Sequence, residues 1–278
     1  MTIADITDEY LKVAGLERRP PDLAFLSELT SRHLANFSFS SVGPMLGDEL
    51  PLDVEAVYRR IVVNHRGGYC FEQNGLMQAV LAELGFAVTL CLARVIHNQD
   101  THPGLTHRIT LVEIAGKQYV ADVGFGSTGP RFPVGMTGEE VREDFRVFRI
   151  AEGRPGEYHM QILKDGSYFS LYRFERHRYG QSDCELGHFY SHKHPRANFV
   201  NHLVVSRILA GEVRSLRNHE LWLIRADGEE RFTITDSAQL RTELHDRFDI
   251  DVDESEAHRL FQRSAGHAVT NAVTSRSA

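Results

Sequence analysis

The chain has 278 residues, 42% hydrophobic and 25% charged, enough for a sizeable core and two or three domains. Its 31 Lys+Arg against 38 Asp+Glu give a formal net charge of -7, so it offers no basic face for nucleic acid, although a locally basic pocket for one anionic cofactor stays open. The opening MTIADITDEYLKVAG lacks a basic start and an unbroken apolar run, no window reaches the roughly 20 apolar residues of a membrane span, and the expected location is cytoplasmic.

Residues 1–85 read as helical. ITDEYLKVAGL has Thr7 or Asp8 as candidate caps and ends near Gly15. PPDLAFLSELTSRHLANF follows two prolines and places Leu23, Leu26, Leu29 and Leu34 near helical spacing. DVEAVYRRIVVN starts at Asp53 and aligns Val54, Val57, Ile61 and Val62 on one face. CFEQNGLMQAVLAELGF carries Leu76, Val80, Leu81 and Leu84, with Gly85 as C-cap.

After Gly85 the pattern turns to strands. AVTLCLARVI is apolar and β-branched, and HRITLVEIAGKQYVADVGFG reads as a hairpin about Ala115-Gly116. FRVFRIA and YHMQILKDGSYFSLYRF, with an Asp165-Gly166 turn, extend the strands into a small antiparallel barrel or sandwich. From about residue 190 the pattern is mixed: FVNHLVVSRIL reads as helix, HELWLIRADGEERFTITD as hairpin and SAQLRTELHDRF as helix. The tail from Ala265 to Ala278 is polar and expected to fray. The order is helical, then β, then mixed, which is an α+β protein.

The three cysteines, Cys70, Cys91 and Cys184, are widely spaced and form no Cys-x-x-Cys pair, so neither a disulfide framework nor a structural zinc site is expected. The 15 histidines form no ligand motif, and no metal is called for. Cys91 reads as a strand core residue. Cys184 falls in a polar stretch read as a loop, and His188, His192 and His194 read as a solvated connection.

Cys70 is different. It follows Arg66-Gly67-Gly68-Tyr69, where paired glycines allow close backbone approach, and it opens a helix whose first turn favours an anion. A nucleophile and a small buried apolar residue are both open there. A cysteine nucleophile needs a base and an orienting group. His107 begins one strand of the hairpin and Asp122 lies near the end of the other. With a two-residue loop, Ile114 pairs with Lys117 and His107 falls opposite Gly124, so Asp122 shares its face as a diagonal neighbour. A buried Asp among Val120, Val123 and Phe125 also needs a partner for its charge. Arg66 reads as an ion-pair anchor for the glycine loop, Glu72 and Gln73 as first-turn helix residues, and Asn74 as packing or a hydrogen-bond bridge.

Taken together, RGGYCFEQN at 66–74, THR at 106–108 and VADVGFG at 120–126 resemble the arylamine N-acetyltransferases in order and spacing. The resemblance implies an N-terminal helical bundle (1–86) carrying the nucleophile, a central antiparallel β-barrel (87–190) carrying His and Asp, and a C-terminal α/β lid (191–278), on a cysteine-protease-like core. It implies a Cys70–His107–Asp122 triad. It implies transfer of an acetyl group from acetyl-CoA to the nitrogen of aromatic amines and hydrazines, and to the oxygen of N-hydroxyarylamines, a role in xenobiotic metabolism. Phe39, Val95, Phe125 and Phe199 are the implied wall of the acceptor pocket. Thr106, Gly126, Ser127, Thr128 and Gly129 are the implied contacts to CoA. No metal, nucleic acid or membrane is implied, and a homodimer is an open expectation. One departure stands out: where the family commonly has Glu-Asn after the residue corresponding to Phe39, this chain has Ser40-Ser41. That changes what Arg66 can pair with. The same triad also serves a cysteine hydrolase or transglutaminase-like enzyme, an amide synthase using a carrier-bound acyl chain, or a catalytically silent binding protein. Acetyl-CoA with an arylamine, set against peptide or amide substrates, separates the hydrolase from the transferase.

Overall fold

The computed structural model describes residues 1–265. Of the tail expected to fray, only Ala265 falls among them, as the last residue of a helix; Gly266 to Ala278 lie outside the described residues.

Five helices occupy the first part of the chain: α1 (Ile3–Ala14), α2 (Leu23–Asn36), α3 (Val42–Leu46), α4 (Val54–Tyr58) and α5 (Cys70–Glu83). The first begins earlier than Thr7 or Asp8, because Thr2 and Asp5 cap it reciprocally, with Thr2 Oγ1 accepting from the Asp5 amide at 3.2 Å and Asp5 Oδ2 from the Thr2 amide at 2.9 Å. Asp22 and Asp53 cap α2 and α4 one way only, accepting from the amides of Phe25 and Ala56. Helix α4 runs on into a π-helical turn, Arg59–Val63. Tyr10, Phe25, Leu26, Leu29, Leu76, Val80 and Leu81 pack together as a shared apolar core. Leu23, expected on that face, is exposed at the first turn of α2.

A buried polar knot crosses this core. His33 Nε2 donates to Gln73 Oε1 at 2.6 Å, and its Nδ1 accepts from the Tyr10 hydroxyl at 3.0 Å. Gln73 Nε2 then donates to the carbonyls of Ser38 (2.8 Å) and Gly68 (3.2 Å). The knot therefore ties α1 and α2 to the glycine loop ahead of Cys70, and every polar atom in it is used by the neutral imidazole.

An eight-stranded antiparallel sheet follows, built from β2 (Ala87–Val95), β3 (His107–Ile114), β4 (Lys117–Ala121), β5 (Val134–Gly135), β6 (Val141–Glu143), β7 (Arg146–Glu152), β8 (Glu157–Lys164) and β9 (Ser167–Glu175). Its order is β5-β4-β3-β2-β9-β8-β7-β6, and β5 lies against β7, so the sheet curls into a nearly closed barrel. The β3–β4 hairpin turns at Ala115-Gly116, both at positive φ, with Ile114 opposite Lys117 and Thr110 opposite Ala121. Cys91, Ile109, Val120, Phe148, Ile150, Met160 and Tyr172 are buried in its core.

The rest of the chain holds helices α6 (Gln181–Lys193) and α7 (Asn198–Asn201), the strands β10 (Val204–Leu209), β11 (Glu212–Arg217), β12 (Glu220–Arg225) and β13 (Gly228–Thr233), and helices α8 (Ser237–Phe248) and α9 (Glu254–Ala265). Two expectations are corrected here. FVNHLVVSRIL is one helical turn followed by a strand, because Val204–Leu209 pairs along its length with β11. The stretch around Cys184 is helix α6 and not a loop; Cys184, His188 and His192 are buried on it, so the histidines are no solvated connection. The strands form a second antiparallel sheet, and its edge is β1 (Phe39–Ser40), a two-residue strand from the otherwise helical beginning of the chain. Phe39 faces Ser206, and Ser40 faces Val205. Thus β1 seats the glycine loop on the C-terminal sheet, since Phe39 also bridges to Gly68.

Burial lowers the pKa of His33 to about 4, against the opposing hydrogen bond with Gln73. A base whose folded value lies below its unfolded value keeps its full contribution above about pH 6.5 and loses stability as pH falls towards 4, because only the unfolded chain takes up the proton. Urea unfolding at pH 7 and at pH 5 should show His33→Gln losing about 2 kcal/mol less between the two than wild type. Equal losses in both proteins would mean that His33 is not held neutral.

Candidate active site

Cys70 is the first residue of α5, and its side chain is directed away from the helix towards the start of β3. Its Sγ lies 3.5 Å from the carbonyl oxygen of Thr106, and the residue is 3% exposed. The helix start is fixed by Glu72, whose Oε2 accepts from the Tyr69 amide at 3.2 Å while Oε1 sits 3.1 Å from Arg60 Nε. Burial holds the Glu72 pKa up at about 7 against that guanidinium and the amide. The Tyr69 hydroxyl donates to His188 Nδ1, and His188 Nε2 donates to the Leu50 carbonyl at 2.7 Å. So α6, which the sequence pattern concealed, braces the residue before the sulfur.

His107 opens β3 opposite Ala93 of β2, with its ring between Phe125 (5.1 Å, edge-on) and Tyr172 (4.9 Å). Its Nε2 hydrogen bonds Asp122 Oδ2 at 2.8 Å, and both residues are buried. The Cys70 side chain adjoins this ring and favours its charged form, and with Nε2 engaged by Asp122, Nδ1 is the nitrogen left for the sulfur. Burial opposes charge on this ring, but the Asp122 carboxylate, the bond to it and the Cys70 sulfur outweigh burial and push the pKa up to about 10.

Asp122 follows β4 directly. Burial works against its charge, yet His107, Asn74 and the Gly124 amide hold its carboxyl below the usual range. Its Oδ1 accepts from Asn74 Nδ2 at 2.9 Å and from the Gly124 amide at 3.0 Å. The Tyr172 hydroxyl lies beside the same carboxylate, which raises its own pKa further above what burial alone gives, but it meets no hydrogen-bond geometry there.

Asn74 settles as a bridge. It sits one helical turn after Cys70, on the same face. Nδ2 donates also to the Arg108 carbonyl at 2.7 Å, and Oδ1 accepts from the Val123 amide at 2.9 Å. One side chain thus links the helix of the cysteine to both strands of the hairpin. Gly124 closes the arrangement: a Cβ there would lie 2.7 Å from Cys70 Cα and 2.7 Å from Asn74 Nδ2. The motif VGFG held that signal without showing which glycine was sterically required.

The residues expected to contact the acceptor fall in two aromatic groups flanking this centre. Phe125 packs on His107 and Tyr172, and Val95 lies opposite Tyr172 across the β2–β9 pair. Phe39 and Phe199 meet edge-on at 5.5 Å, and Phe199 reaches the ring of Tyr69. The groups join at Gly126, whose missing Cβ would approach Phe39 to 3.9 Å. Of the residues expected to contact CoA, Thr106 offers its carbonyl to Cys70, and Gly126 to Gly129 make a tight turn with a 3.0 Å Gly129 amide to Gly126 carbonyl bond. Thr106, Phe125, Ser127, Thr128 and Phe199 are half-buried. Ser41 spends its hydroxyl on the His202 carbonyl and the Val204 amide, and Arg66 pairs elsewhere, with Glu256. Among the described residues no group of His, Cys, Asp or Glu is arranged to hold a metal, and no helix is long and apolar enough to cross a membrane.

Comparison with known proteins bears on the same centre. Residues 22–257 match the family described as N-acetyltransferase. An arylamine N-acetyltransferase of Mycolicibacterium smegmatis is 32% identical over 254 residues, covering 87% of this chain and 91% of that protein. A Salmonella typhimurium protein named arylamine N-acetyltransferase / N-hydroxyarylamine O-acetyltransferase is 30% identical, covering 86% and 87%. The structure of the Mycobacterium marinum arylamine N-acetyltransferase in complex with CoA superposes with a TM-score of 0.86 at 28% identity, over 92% of this chain and 98% of that one.

Replacing Asp122 by Asn removes the charge that holds the proton on His107. Ring titration followed by nuclear magnetic resonance should then fall by about two pH units or more from the wild-type value near 10. An unchanged titration would show that the carboxylate does not govern the ring.

Proposed function

Because the chain belongs to the arylamine N-acetyltransferase family, we propose that it moves an acetyl group from acetyl-CoA to the nitrogen of aromatic amines and hydrazines by way of an acetyl-cysteine at Cys70. The observation that carries this reading is the buried line from Asp122 Oδ2 to His107 Nε2, 2.8 Å, with the Cys70 sulfur on the other side of the ring. The match over residues 22–257 and the relative that binds CoA support the donor.

In this mechanism His107 holds the proton taken from Cys70, and Asp122 fixes the ring and balances its charge. The Cys70 sulfur attacks the carbonyl carbon of the acetyl thioester. Backbone N–H groups at the start of α5 take up the negative charge that develops on oxygen. The carbon–sulfur bond to CoA breaks, His107 returns its proton to the departing thiolate, and the acetyl group stays on Cys70 as a thioester. The incoming amine nitrogen then attacks that thioester while His107 accepts its proton, and Cys70 leaves as the anion beside the imidazolium. Bond energies of donor and intermediate match, since both are thioesters, so neither half-reaction is steeply uphill.

The turn from Gly126 to Gly129 fits a donor arm in shape and chemistry. Gly126 takes φ +87, so no side chain stands between the turn and Phe39, and Ser127 and Thr128 present hydroxyls at the half-exposed edge. Phe125, Phe199, Phe39 and Val95 offer flat apolar walls to an aromatic acceptor. An N-hydroxyarylamine presents its oxygen to the same acyl-cysteine, in keeping with the name of the Salmonella relative. Three free thiols suit a reducing, cytoplasmic setting.

Mass spectrometry of the intact protein after acetyl-CoA treatment tests the proposal. One acetyl adduct should form, map to Cys70, be absent in Cys70→Ser and discharge on adding an arylamine. An adduct that persists in Cys70→Ser, or one that an arylamine does not discharge, would overturn it.

A further inference from the structure

The loop that delivers Cys70 is gripped from a part of the chain far away in sequence. Arg66, four residues ahead of the cysteine, forms a two-pronged ion pair with Glu256: Nη1 to Oε2 at 2.7 Å and Nη2 to Oε1 at 2.8 Å. The same Nη1 donates to the Asp251 carbonyl at 2.7 Å. A backbone bond runs parallel to it, from the Asp251 amide to the His65 carbonyl at 2.8 Å, and His65 Nδ1 meets Asp249 Oδ2 at 3.0 Å. Ser38, beneath the loop, donates its hydroxyl to the Phe248 carbonyl. Residues 248–256, from the end of α8 through the connection into the first turn of α9, therefore hold residues 65–67 and the strand below them.

This connection is itself rigid. Glu256 is the third residue of α9. Its Oε2 accepts from the Asp253 amide at 3.0 Å, and its own amide donates to Asp253 Oδ1 at 2.8 Å, a reciprocal cap. Burial works against the Glu256 charge, but Arg66 and the Asp253 amide hold its carboxyl below the usual range. Ile250, fully buried in the C-terminal core, reaches to 3.6 Å from where a Gly67 Cβ would stand. The other side of the loop has no slack, since that Cβ would lie 2.6 Å from the Ser38 carbonyl oxygen and 2.7 Å from Ser40 Cβ. His65 and Gly67 both take positive φ, +48 and +62, so the path of the loop needs holding. Only Gly68 and Tyr69 separate the gripped residues from the sulfur.

We propose that Arg66 and Glu256 are positioning residues for Cys70: the α8–α9 connection sets the angle at which the sulfur meets His107. This rests on the reading of Cys70 as the nucleophile. The exposed Arg59–Glu55 pair joins successive turns of one helical run. The Arg66–Glu256 pair instead joins the end of the fold to the loop in front of the chemistry, and its planar fork fixes direction as well as distance. Releasing it lets the loop relax by a fraction of an ångström, which weakens the contact of sulfur and ring without removing either group.

The test uses Arg66→Gln, Glu256→Gln, Arg66→Lys and the exchanged pair Arg66→Glu/Glu256→Arg, each checked for folding by circular dichroism. The readouts are single-turnover acetylation of Cys70 at saturating acetyl-CoA and alkylation of Cys70 by iodoacetamide across pH. The two Gln variants should acetylate about tenfold more slowly, and Arg66→Lys should recover only part of the loss. At about pH 6 alkylation should slow by about fivefold, and near pH 9.5 it should match wild type, because at low pH reaction depends on the sulfur–imidazole contact. The exchanged pair should regain most of the acetylation rate. Gln variants that melt earlier but acetylate at the wild-type rate with the wild-type pH profile would make the pair merely structural and overturn the proposal. A wild-type protein that takes no acetyl group on Cys70 would instead defeat the reading of the nucleophile, which keeps the two failures apart. Should a single Gln variant fail to fold, Arg66→Lys and the exchanged pair carry the same decision.

Discussion

A carboxylate sealed from water must find its partners inside the protein, and Asp122 finds three: the His107 ring, the Asn74 amide and the Gly124 N–H. That demand ties the start of α5 to the β3–β4 hairpin. Asn74 can reach Asp122 only if α5 lies along the β3–β4 hairpin, and with α5 in that place its first residue, Cys70, is brought to the ring of His107. The mutual support of Asp122 and His107 is cooperative: the carboxylate lifts the imidazole pKa to about 10, and the imidazolium keeps the carboxylate ionised. Removing one partner leaves the other as an uncompensated buried charge, a loss of about 3–5 kcal/mol.

Each of the three structural parts contributes one constraint. The helical core supplies α5 and, through His33 and Gln73, a polar hold on the carbonyls of Ser38 and Gly68. The barrel supplies His107, Asp122 and the aromatic wall of Phe125 and Tyr172. The C-terminal sheet takes β1 as its edge strand, and the α8–α9 connection closes on Arg66. The Ser40-Ser41 pair fits this third part. Both serines are buried, Ser41 bonds the backbone of β10 and its approach, and the carboxylate for Arg66 comes from Glu256, at a sequence separation of 190.

Features set by neighbours along the chain were legible in the sequence. The β3–β4 hairpin follows from a two-residue turn between alternating apolar runs, and its register put Ile114 opposite Lys117. Two prolines marked the approach to α2, and Asp53 marked the start of α4. Helix α6 was hidden because its buried side is made of Cys184, Gly187, His188, Ser191 and His192, small or polar residues that blur the apolar period. Strand β10 reads locally as helix because LVVSRIL is apolar enough for either; its state is decided by pairing with β11 and β1, which no local pattern reveals. The steric need for Gly124 and the partner of Arg66 are likewise contacts between distant segments.

The central claim is that the sulfur of Cys70, alone of the three, adjoins the imidazole of the His107–Asp122 pair. Burial pushes the Cys91 thiol up to about 12 and raises that of Cys184. Competitive labelling of the native protein by limiting iodoacetamide at about pH 6, with the sites located by mass spectrometry, compares all three in one tube. The account predicts modification of Cys70 well ahead of the other two; labelling of the three at similar rates, or of Cys91 or Cys184 first, would contradict it.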